Sequence, residues 1–205
     1  MSKHRVEAFS DGVLAIIITI MVLELRPPEG TQATDLLALG PKFLAYVLSF
    51  ANVGIYWNNH HHLFQAARTV SGRVLWANLH LLFWLSLIPF GTAWMGEHQF
   101  ASIPVAVYGL DLVFAAIAYF LLVRALIASP GQNPAFAAAI GSDFKGKVSI
   151  VVYVVATPLA LVLPLVAFAL YVVVAVTWIV PDRRMERSIT SPVVAPDQPK
   201  PTPRP

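Results

Sequence analysis

The chain has 205 residues, of which 57% are hydrophobic and 12% charged, and its mean hydropathy is +0.67. A soluble domain carries about 25% charged residues, so this chain has too few charges to coat a globule of its size, and a soluble enzyme is excluded. With no cysteine, disulfide frameworks, thiolate metal sites and cysteine nucleophiles are excluded as well.

The composition predicts an all-α, polytopic membrane protein. A helix needs about 20 apolar residues to cross roughly 30 Å of hydrocarbon. The first such run covers about residues 5–25. It contains Asp11 and ends in Leu23-Glu24-Leu25 without a small-residue cleavage site, which predicts a retained span. Further spans are expected at about 43–66, 74–95 and 103–127. The stretch from Val148 to Pro181 is 34 residues without a charge, too long for one crossing and short for two. Pro158 and Pro164 bracket the expected break, which gives spans at about 148–162 and 164–180.

Charge placement supports six spans. Lys and Arg concentrate on the cytoplasmic side of membrane proteins. Six spans with both termini cytoplasmic put 12 of the 14 basic residues inside and leave only Arg26 and Lys42 outside. Five spans split them seven and seven. The expected location is the plasma membrane, with residues 1–180 as the membrane domain. Residues 181–205 hold seven of the 16 prolines and read as a disordered cytoplasmic tail.

Span 1 is unusual. Asp11 sits one to two turns inside its cytoplasmic end, where a carboxylate should face protein or water rather than lipid. Arg5 and Asp11 point about 120° apart on a helix, so each is expected to reach a neighbouring helix or subunit. Ile16, Thr19, Ile20 and Leu23 share one stripe. Spacing alone is compatible with plain packing or with pore lining. Span 2 carries a polar stripe of Ser49, Asn52, Tyr56 and Asn59, with Trp57 and His60-His61-His62 near its end. Span 3 carries Asn78, and also Trp76, His80 and Trp84 at four-residue steps. Arg5, Ser10 and Asp11 are expected to contact Asn78 and one of His60 or His61. Three consecutive histidines on a helix point about 100° apart and cannot converge on one ion, so no metal site and no cofactor are expected. Glu24 and Glu97 lie near outer span ends, and Asp111 lies near the middle of span 4, where it should need a partner.

The string Arg5-x-x-x-Phe9-Ser10-Asp11, followed by Gly12-Val13-Leu14-Ala15-Ile16-Ile17-Ile18-Thr19, resembles the signature of the transmembrane protein 175 potassium channels. The resemblance continues in Trp57-Asn58-Asn59-His60-His61-His62-Leu63-Phe64, in Asn78-Leu79-His80-Leu81-Leu82 and in Leu87-Ile88-Pro89-Phe90-Gly91-Thr92. It implies a homotetramer of six-span subunits in which helix 1 of each copy lines a central pore in the lipid bilayer. It further implies a hydrophobic constriction at Ile16, with Ile20 and Leu23 as further narrowing and Thr19 supplying polar atoms.

The chain has no Thr-Val-Gly-Tyr-Gly filter, so a carbonyl cage is not available to it. A ring of aliphatic side chains gates by dewetting, and moderate K⁺ preference is expected from the lower cost of stripping water from K⁺. The competing reading is a proton-coupled transporter or proton-conducting membrane protein, with Asp11, Asp111 and the histidines as relays. An intramembrane enzyme lacks a nucleophile–base constellation, and nucleic acid is not an expected partner.

Overall fold

The structure is a computed structural model that describes residues 2–132 and 144–179. The proline-rich tail expected at 181–205 lies outside the described residues. Seven helices make up the described chain: α1 (Lys3–Leu23), α2 (Ala33–Leu37), α3 (Gly40–Ala66), α4 (Gly72–Glu97), α5 (Ser102–Ile127), α6 (Phe144–Leu159) and α7 (Pro164–Ile179). By length and composition α1, α4 and α5 can each cross a membrane, and α7 is a shorter apolar helix. The 27 residues of α3 span about 40 Å at 1.5 Å per residue. Its asparagines and histidines make it more polar than its neighbours.

Local chemistry sets several boundaries. Helix α2 is one turn closed by a capping box, in which the Asp35 carboxylate accepts the Gln32 backbone N–H at 3.0 Å. Sequence periodicity did not expose so short an element. Pro41 stands in the first turn of α3, where its missing N–H costs no helical hydrogen bond. The long uncharged stretch is two helices separated by a turn at 160–163, and Pro164 opens the second. Helix α6 is described from Phe144, ahead of the expected boundary at Val148, and takes in Lys145 and Lys147, because charged ends can extend a helix toward the interface at little cost.

The core is built where α4 meets α5. Leu81, Leu85, Ile88, Met95, Tyr108, Leu112, Leu122 and Leu126 are all fully buried. Helix α1 lies against α4 and α3, and α6 and α7 pack as a pair against α5. The Tyr171 side chain of α7 reaches so close to Gly109 of α5 that a Cβ there would collide with its hydroxyl. This arrangement leaves α1 at the edge of the bundle, with one face inward and one face free.

Candidate functional site

Helix α1 buries Val6, Ser10, Leu14, Ile17 and Met21, which recur at three- and four-residue steps and form one continuous face. The opposite side carries the predicted stripe. Ile16 is 59% exposed, Ile20 43% and Leu23 71%, and Thr19 between them is also exposed. An apolar stripe turned away from its own helical bundle must meet lipid or protein. Beside it, Val13, Ile16, Ile17, Ile20, Pro89 and Phe90 help line a groove of about 620 Å³ between α1 and α4. The Thr19 hydroxyl donates to its own i−4 carbonyl at Ala15, 2.8 Å away. That bond uses the proton and leaves the oxygen lone pairs on the free side.

The inner face of α1 is held by a polar chain. Asn78 Nδ2 of α4 donates to Ser10 Oγ at 2.9 Å, and Asn78 Oδ1 lies 2.8 Å from His60 Nε2 of α3. Ser10 Oγ in turn donates to the Val6 carbonyl at 2.8 Å. All three side chains are buried, and His60 is stacked on Phe64 with ring centroids 4.4 Å apart. The chain pins α1 to α3 and α4 at one height.

Asp11 takes a different partner. The Trp57 indole N–H donates to its carboxylate at 3.1 Å, and Trp57 stacks on His61 at 6.3 Å. His61 thus supports the tryptophan rather than joining Ser10 and Asn78. Sequence spacing within one helix carries no signal for this bond, because it depends on how α1 and α3 are aligned.

Arg5 does not join the network, contrary to expectation. It sits about 140° from Ser10 around the helix, and its exposed side chain shares the outward side with Ile16. Phe9 is likewise on the open side. A contact that sequence reasoning missed ties the start of α1 down. Lys3 Nζ donates to the carbonyls of Gln65 and Ala67 at 3.3 and 3.1 Å, where the end of α3 presents unpaired carbonyls and negative dipole charge. At the other end of the bundle Glu97 pairs with Lys42 at 3.3 Å. Among the described residues no cluster of three or more potential ligands could hold a metal ion.

The family model described as endosomal/lysosomal potassium channel TMEM175 matches residues 5–89. These residues hold the whole of α1 beyond its first two residues, as well as the Ser10–Asn78–His60 chain. A potassium channel from Chryseobacterium sp. (strain P1-3) is 53% identical over 92% of this chain and 98% of its own length. The chain belongs to the TMEM175 potassium channel family.

The fold agrees. A crystal structure described as a lysosomal potassium-selective channel TMEM175 homolog from Chamaesiphon minutus matches with a TM-score of 0.72 and 27% identity, covering 91% of this chain and 97% of that one. The human protein named endosomal/lysosomal proton channel TMEM175 is 45% identical over 33% of this chain and 16% of its own length. Membership of TMEM175 makes this a multi-pass membrane protein of an ion-channel family and not an enzyme.

Proposed function

We propose that this TMEM175 member is a moderately selective potassium channel of the plasma membrane, with six membrane crossings per subunit and both termini cytoplasmic. Four copies bring their α1 helices to a common axis. Ile16, Ile20 and Leu23 form the hydrophobic constriction, and Thr19 supplies oxygen lone pairs to a partly dehydrated cation. The observation that carries this reading is the exposed Ile16–Thr19–Ile20–Leu23 side of α1 on a helix whose other face is locked into the subunit. The groove between α1 and α4 offers a seat for a neighbouring copy, and the Chryseobacterium and Streptomyces collinus relatives are named as potassium channels. The Ser10–Asn78–His60 chain and the Trp57–Asp11 bond then hold the angle of the lining helix.

The mechanism follows from that placement. Isoleucine and leucine rings offer no ligand to an ion and expel water when narrow. Conduction therefore requires widening, which lets a hydrated or partly stripped K⁺ pass. Flux from potassium-loaded liposomes tests the reading. Ile16→Asn should wet the constriction and raise flux, and Thr19→Ala should lower K⁺ preference over Na⁺. Wild-type flux and ion preference in both variants would remove α1 from the pore. Proton conduction is the second reading, favoured by the name of the human relative. A reversal potential that follows the proton gradient rather than the K⁺ gradient would select it.

A further inference from the structure

The interior of the subunit holds a polar system separate from the α1 stripe. Thr92 Oγ1 of α4 and Ser49 Oγ of α3 lie 2.6 Å apart, and Ser49 lies 3.0 Å from the Tyr108 hydroxyl of α5. Asn52 Nδ2 of α3 donates to that same hydroxyl at 3.3 Å. One turn further along α5 comes Asp111, which is 7% exposed. Both of its carboxylate oxygens are buried without a hydrogen-bond partner among the described residues.

Among the described residues no ion pair reaches it. The titratable groups in electrostatic range are the phenols of Tyr56 on α3 and Tyr108 on its own helix. Helix α6 contributes the neighbouring phenol of Tyr153, and α7 that of Tyr171, whose ring lies 6.1 Å from that of Tyr108. The buried side of α4 has no charged residue. An ionised carboxylate in such a place is strongly disfavoured unless it is paired, whereas a neutral acid is not.

A small cavity reaches the same polar cluster. Asn52, Tyr56, Asn59, Tyr119, Ser149 and Tyr153 help line a cavity of about 40 Å³ between α3, α5, α6 and α7. About 10–15 Å³ of such space is enough for one water when polar partners are at hand. Asn52 connects this cavity to Tyr108 through its hydrogen bond, and Tyr108 stands three residues before Asp111 on α5.

We propose that Asp111 is a proton-binding site inside each subunit, held as the neutral acid and exchanging its proton with water that reaches it from the cavity beyond Asn52 and Tyr108. Exchange moves one proton from the carboxyl to a cavity water and back, and no other bond is made or broken. The site stands apart from the α1 stripe, so it does not depend on the conduction reading.

Infrared difference spectroscopy of the full chain in liposomes at neutral pH tests it. The wild type should show a carboxylic-acid C=O band that shifts on exchange into D₂O. Labelling the aspartate carboxyl carbons with ¹³C should move the band, which assigns it without any mutation. Asp111→Asn should abolish it, and Asp111→Glu should restore an acid band. Absence of the band in the wild type, or its survival in Asp111→Asn, would overturn the proposal. The readout needs no ion flux, so its failure is distinct from failure of the channel reading.

Discussion

Replacing Asn78 with leucine tests the anchor of α1. The side chain is of similar size, so the change removes two hydrogen bonds with little change in volume. Its two partners lose unequal amounts. Ser10 keeps its bond to the Val6 carbonyl and loses only an accepted bond. His60 is 1% exposed and has Asn78 as its hydrogen-bond partner, and stacking on Phe64 does not replace it. A buried polar group left unsatisfied costs about 1–3 kcal/mol. Polar pairs between membrane helices average about 0.6 kcal/mol and reach about 1.7, because the unfolded reference also finds partners. His60 is too enclosed to find another partner in the folded state, so the upper part of that range applies, about 1–2 kcal/mol. Detergent-based unfolding should show this loss. His60→Leu in the same background should recover part of it by removing the orphaned ring. Asn78→Leu with wild-type stability, or single-variant losses that simply add in the double variant, would refute the account.

Gly109→Ala should lower the unfolding temperature, because the new methyl meets the Tyr171 hydroxyl and Thr157 Oγ1. Overpacking of this kind costs about 1–3 kcal/mol, and Tyr171→Phe in the same chain should relieve part of it. Lys3→Gln should loosen the last turn of α3, whose Gln65 and Ala67 carbonyls Lys3 bonds. The expected cost is about 0.3–1 kcal/mol, read as faster amide hydrogen exchange at Ala67, whose N–H bonds the Leu63 and Phe64 carbonyls. Unchanged exchange there would show that the lysine contact carries no stability.

Much of the helix plan was legible because its two controlling lengths are local. Bilayer thickness and helical rise limit the length of an apolar run, and the period of the helix puts Ile16, Thr19, Ile20 and Leu23 on one side. The split of the last apolar stretch was harder. No turn residue marks 160–163, and the balance of basic residues was the argument for two helices. The structure breaks the stretch there and opens α7 at Pro164. Ser10, Asn78 and His60 could be named as polar residues in need of partners, since unpaired groups are costly in an apolar setting. Trp57 as the partner of Asp11, and Lys3 at the end of α3, could not. Both depend on the height at which two distant segments align, and periodicity within one helix contains no such term.

Sequence alone determined that this is an all-helical membrane protein, that its first helix carries both a motif of polar residues and an aliphatic stripe, and that Asp111 lies inside a span. Tertiary structure decided which side of each helix is covered. It turned the Ser10 side of α1 inward and the Ile16 side outward, sent Arg5 outward with the stripe, and left Asp111 without a hydrogen-bond partner among the described residues. The physical reason is that helix formation depends on contacts within four residues, whereas burial depends on the sum of many weak contacts between segments far apart in the chain.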